Sequence, residues 1–88
     1  MDIVRIDWLD SHEVSNWVHL NDLGPIEPQP VITVGVLLGE ADHAVRVTGH
    51  YAPETKGDIA QACGVMTIPR CCIRSIITID RIEEGEAR

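Results

Sequence analysis

Residues 2–10 alternate, with Val4, Ile6 and Trp8 on one side and Arg5 and Asp7 on the other. That period of two predicts a half-buried strand, because successive side chains of an extended chain point to opposite faces. Between Ser11 and Leu23, the spacing of Val14, Trp17, Val18 and Leu20 fits either a short amphipathic helix or an ordered excursion. Gly24-Pro25-Ile26-Glu27-Pro28-Gln29-Pro30 excludes helix, since each proline fixes φ and drives the residue before it towards extended backbone. This stretch reads as a stiff connector rather than as a proline-motif ligand. Val31 to Gly39 is apolar at both parities, which predicts a second strand covered on both sides, by core and by another chain or segment. Gly35 interrupts the run and marks a sharp bend or a close backbone approach.

Glu40-Ala41-Asp42 predicts a tight turn, and His43 to Ala52 predicts the returning strand, with Val45 and Val47 inward and Arg46 and Thr48 outward. Gly49 offers a second bend. Pro53 to Gly64 reads as a loop holding one helical turn around residues 58–62, stopped by Gly64. Val65 to Ile68 predicts a fourth strand, which Pro69 breaks or kinks. Cys71 to Asp80 then gives a fifth strand, or a turn and a strand, with Ile73, Ile77 and Ile79 on one face. Residues 83–88 form a polar tail.

Composition sharpens the class. Eleven Ile and nine Val against five Leu is a β-branched excess that suits pleated sheet. A chain of 88 residues has room for one modest core, burying roughly 60–65% of its unfolded surface. The expectation is an all-β domain with minor α content over residues 1–82: a small, five-stranded, strongly bent antiparallel barrel. Residues 11–30 form its ordered excursion, between strands one and two.

The formal charge is −7, and the deficit lies wholly in residues 1–44, with one Arg against eight acids; residues 45–88 carry six of each sign. Coating of duplex DNA is thereby disfavoured, because polyanion affinity scales with the phosphates that clustered cations neutralise. Trp8, Trp17 and Tyr51 are the whole aromatic complement, too few for an extended stacking platform. The opening MDIVRIDWLD has acids where a secretory leader needs a basic region and an apolar run. No apolar stretch is long enough for a helix to span a bilayer. These features suggest a soluble protein of a reducing cytoplasm. In that setting Cys63, Cys71 and Cys72 read as small buried or half-buried thiols, with a redox pair as the alternative. On a strand, Cys71 and Cys72 would face opposite ways and could not share a metal.

His12, His19, His43 and His50 form no paired-ligand spacing, and Asp42-His43 sets an acid beside an imidazole, as His12-Glu13 also does. There is no nucleophile-base pattern and no phosphate-binding glycine loop. The expectation is a protein that is not an enzyme and needs no metal or cofactor.

Ile68-Pro69-Arg70-Cys71-Cys72-Ile73-Arg74-Ser75-Ile76 resembles the second Sm motif, especially that of the bacterial Sm-like RNA chaperone. Asp42-x-x-Val45-Arg46-Val47 is similar to the first Sm motif, and Gly35 falls where that family bends its second strand. The chain also resembles a group of short tailed-bacteriophage proteins through Trp8-Leu9-Asp10-Ser11, Val34-Gly35-Val36-Leu37 and Ile68-Pro69-Arg70-x-x-Ile73. The resemblance implies an Sm-like or SH3-like barrel of phage origin, working in the host cytoplasm and assembling into a ring through its edge strands. It also departs from the pattern: Arg46 stands where Sm proteins place a uracil-reading Asn, and Pro69-Arg70-Cys71 stands where the chaperone has Tyr-Lys-His. Arginine lacks the acceptor that an amide offers a base edge, so phosphate contact replaces base reading.

The candidate ligand-binding residues are Arg70, Arg46, Arg74 and Asp42. Pro69 is expected to hold Arg70 presented at low ordering cost. One functional expectation is a homo-oligomeric module that gathers these arginines to bind RNA or a small nucleotide, and could sequester a host nucleotide signal. The alternative is a structural or interaction protein, serving virion assembly or binding a host protein, with no nucleotide ligand.

Overall fold

The computed structural model describes residues 1–83. Five strands, β1 (Asp2–Asp10), β2 (Gln29–Glu40), β3 (Ala44–Ala52), β4 (Gln61–Pro69) and β5 (Ile73–Arg81), form one antiparallel sheet in the order β4-β3-β2-β1-β5. Among the described residues, helix is confined to single 3-10 turns at Leu20–Asp22 and Arg70–Cys72. The all-β, five-stranded expectation therefore holds. The hydrogen-bonded sheet is open, with β4 and β5 as its edges, and the Arg70–Cys72 turn joins those edges at one end.

The alternation of β1 works as read: Val4, Ile6 and Trp8 are buried, and with Val45, Val47 and Ile68 they make the core. Val31, Leu37, Cys72, Ile73 and Ile76 pack around it. Each large aliphatic group so buried contributes about 1.5–3 kcal/mol, which makes this small cluster the main support of the sheet. The Trp8 indole N–H reaches the Thr33 hydroxyl at 3.0 Å, satisfying the ring's one polar atom.

Gly35 is a close approach. A Cβ built there would lie 2.5 Å from the Thr48 carbonyl oxygen, whereas one at Gly49 would meet nothing within 4 Å. The β2–β3 register shifts between Leu37 and Gly39, which adds a local irregularity to the same pair.

Several local expectations are corrected. Residues 11–23 hold no amphipathic helix; the excursion is an extended arm, and every residue from 10 to 30 is exposed. The molecule measures 59 × 24 × 21 Å, and its radius of gyration of 17.2 Å exceeds the about 12 Å of a compact chain of this length. The helical turn at 58–62 is absent. A Thr55–Asp58 bridge turns the chain instead, and β4 begins at Gln61, four residues before the expected Val65. Gly64 is a strand residue with φ +75°, not a helix stop. Thr48 is buried, because its hydroxyl folds back onto the His50 and Cys63 carbonyls at 2.9 and 2.7 Å. In β5 the core side belongs to Ile73 and Ile76, while Ile77 and Ile79 are exposed. A register shift opposite Asp7 and Trp8 breaks the simple alternation there. The outward residues Ile32 and Val34 of β2 are uncovered in the single chain. Of the polar tail, all but Glu83 lies outside the described residues.

Candidate functional site

The turn after β2 and the turn after β4 meet at one end of the sheet, and the contact is made by Arg70. Its backbone N–H donates to the His43 carbonyl at 2.9 Å. Its Nε donates to the Ala41 carbonyl at 2.9 Å, and a terminal nitrogen pairs with the Glu40 carboxylate at 2.9 Å. A turn leaves carbonyls without ladder partners, and a guanidinium with donors in a fixed fork is well suited to take them. Arg70 is thus a clasp between two turns. Pro69, extended at φ −61° and ψ 136°, leads into a 3-10 turn from which the Arg70 guanidinium engages the β2–β3 turn of its own chain.

Beside this clasp lies an open groove of about 530 Å³, lined by Gly39, Glu40, His43, Val45, Arg46 and Thr67 among others. Arg46 sits in register between Gly39 on β2 and Thr67 on β4. It is exposed and makes no ion pair among the described residues. Asp42 is exposed in the adjoining turn. The structure therefore gathers Arg46, Arg70 and Asp42 at one end of the sheet. Arg74 does not line this groove; it lies on β5, at the register shift opposite Asp7 and Trp8. His43 joins the groove although the sequence offered no reason to place it there. The fork donated by Arg70 was equally hidden, since it joins residues about thirty positions apart.

A second polar cluster stands on the outer face of β1. The Arg5 guanidinium grips Asp7 twice, at 3.0 and 3.1 Å, and the Ser75 hydroxyl of β5 donates to the same carboxylate at 3.2 Å. The Arg5 hydrogen bonds hold the Asp7 carboxyl below its usual range, against a smaller opposing effect of lost hydration. The i, i+2 spacing of Arg5 and Asp7 signalled one shared face. Nothing in the sequence signalled Ser75.

Cys71 and Cys72 do not face opposite ways. Both lie in the Arg70–Cys72 turn, with their Sγ atoms 4.0 Å apart, and the expectation of buried or half-buried thiols holds for Cys72 but is corrected for Cys63 and Cys71, which are exposed. Among the described residues no group of three or more His, Cys, Asp or Glu side chains could hold a metal ion, and no helix is long and apolar enough to cross a membrane. Comparisons with protein-family models, with curated proteins and with solved structures return no match.

Proposed function

We propose that the protein is a non-enzymatic binding module of Sm-like or SH3-like type that works as a homo-oligomer and takes a small nucleotide or a short RNA segment at the groove beside the Arg70 clasp. The observation that carries this reading is Arg46, a guanidinium without a carboxylate partner among the described residues, lining a groove of ligand size. Such a group takes a phosphate through paired, charge-assisted hydrogen bonds. The acidic remainder of the chain opposes long polyanions more than a compact phosphate, because distant surface charges are screened over about 8–10 Å at physiological salt. Arg70 then holds the groove's wall, and Arg74 contributes only where a neighbouring subunit brings it near.

Support for assembly comes from the edges. Val65 and Met66 on β4, and Ile77 and Ile79 on β5, are exposed beside backbone groups with no in-chain ladder partner. Open edges of this kind favour pairing between copies, and β4 against a neighbour's β5 would close a ring. Light scattering at micromolar concentration tests it: a mass of one chain rejects the oligomer.

The structural reading has its own support in the exposed arm, where Trp17, Leu20 and Ile26 present large apolar side chains that touch little of their own chain. Calorimetric titration against cyclic dinucleotides and short uridine- or adenosine-rich RNAs separates the two. The binding reading expects Arg46→Ala to weaken affinity at least tenfold, about 1.4 kcal/mol, with the assembly intact. A wild-type protein silent across that panel transfers the case to the interaction protein.

A further inference from the structure

The Arg70–Cys72 turn does something a strand could not: it sets two successive cysteine side chains on one side of the backbone. On extended chain, neighbours point to opposite faces. Here the chain leaves Pro69, makes one 3-10 turn closed by the Ile73 N–H on the Arg70 carbonyl, and brings the sulfurs to 4.0 Å. Cys71 is exposed, whereas Cys72 is half-buried against the core. One thiol is open to a reagent and the other is anchored within reach of it.

We propose that Cys71 and Cys72 form a vicinal dithiol modification site, which a low-molecular-weight disulfide closes into an intramolecular disulfide. The Cys71 thiol releases its proton to solvent and its thiolate attacks one sulfur of the reagent, forming a mixed disulfide and expelling one reagent thiolate. Cys72 then gives up its proton and attacks the Cys71 sulfur, expelling the second reagent thiolate. Two cysteine thiols are oxidised, one reagent disulfide is reduced to two thiols, and no other oxidant is required. The order of attack follows from the surroundings: the hydrogen bond with Cys71, burial, and the fields of Cys71 and Asp10 all raise the Cys72 thiol, so it holds its proton while Cys71 meets the reagent.

The closing movement is small. A disulfide needs sulfurs about 2.05 Å apart, so the pair must approach by about 2 Å, within reach of side-chain rotation. Successive Cα atoms are about 3.8 Å apart across a trans peptide, below the usual 4.4–6.8 Å of bridged cysteines, so the ring is strained and readily reduced. Exposed, strained disulfides are the labile, regulatory kind. The modified turn carries the Arg70 clasp, and the site does not depend on what the groove binds.

Cys63, exposed on β4 and apart from the Arg70–Cys72 turn, supplies an internal control, since a solitary thiol can only keep an adduct. Folded protein is treated with oxidised glutathione, and intact mass and peptide mapping are read. The expected product carries one glutathione, on Cys63, and has lost two hydrogens from the Cys71–Cys72 peptide. Cys63→Ser is expected to lose the two hydrogens and carry no adduct. Cys72→Ser is expected to retain glutathione on Cys71. Adducts persisting on both Cys71 and Cys72, a disulfide-linked dimer through either, or a pair left untouched while Cys63 reacts would each overturn the proposal.

Discussion

Replacing Gly35 by alanine tests the close approach between β2 and β3. The added Cβ would lie 2.5 Å from the Thr48 carbonyl oxygen and 3.2 Å from its carbon. A relaxed carbon-to-oxygen contact is about 3.3–3.6 Å, so the two strands must separate locally by roughly 1 Å. The obstacle is backbone, which cannot swing aside as a side chain can. Overpacking of this kind costs about 1–3 kcal/mol. Against it stands the about 0.4–1 kcal/mol that alanine gains by restricting the unfolded chain, because Gly35 does not occupy the left-handed region. The net expectation is a loss of about 1.3 kcal/mol from a domain whose whole stability is of order 4–13 kcal/mol. At roughly 4–8 °C per kcal/mol, the melting midpoint should fall by about 5–10 °C. Gly49→Ala is the matched control, since its Cβ meets nothing within 4 Å; it should raise stability by about 0.4–1 kcal/mol. Urea unfolding and thermal melts of both variants decide the matter. If Gly35→Ala is as stable as Gly49→Ala, the strands do not approach as described and the argument fails.

Other expectations follow from the same sheet. Ile6, fully buried at the centre of the core, should cost about 2–5 kcal/mol when cut to alanine, read by urea unfolding; a loss under about 1 kcal/mol would mean the core is not where it is described. Thr48→Val leaves the His50 and Cys63 carbonyls without their hydroxyl and should destabilise by about 1–3 kcal/mol, with faster amide exchange along β3 and β4; unchanged exchange would count against the bond. Asp7 has a folded pKa held below its unfolded value, so its stabilising contribution is complete above the unfolded value and is lost as pH falls through the folded one. Melts taken stepwise down through the carboxylate range should therefore show Asp7→Asn losing less stability than wild type, and parallel curves would remove Asp7 from the account.

Strand β1 and the β2–β3 hairpin were legible because their patterns are local: alternation for the one, and a glycine within a β-branched run for the other. The first half of β4 was not. Asp58-Ile59-Ala60-Gln61-Ala62 followed by Gly64 has the local look of a helical turn and its stop. What places the start of β4 in a strand is pairing of Gln61 to Cys63 with His50 to Ala52 of β3, a partner that local propensity does not register. The misreading of β5 has a similar source, since a register shift opposite Asp7 moves Ile76 to the core side in place of Ile77. For the candidate site, the sequence marked Arg46, Asp42 and Arg70 through motif resemblance, and the fold does bring them to one end. It could not show that Glu40 and Ala41 occupy Arg70, nor that a 3-10 turn rather than a strand carries the two cysteines.

The strand order also sets a timetable for synthesis. β1 hydrogen-bonds on both sides, yet one of its neighbours, β5, is the last strand made; the Asp2–Arg81 ion pair spans 79 positions. At about 5–20 residues per second, roughly 4–16 s separate the emergence of those two residues from the ribosome. During that interval β1 can pair with β2 but keeps its other edge open, with Ile6 and Val4 lacking the cover of Ile73 and Ile76. A nascent chain stalled before residue 73 therefore presents β1 as an unsatisfied edge to whatever lies nearby.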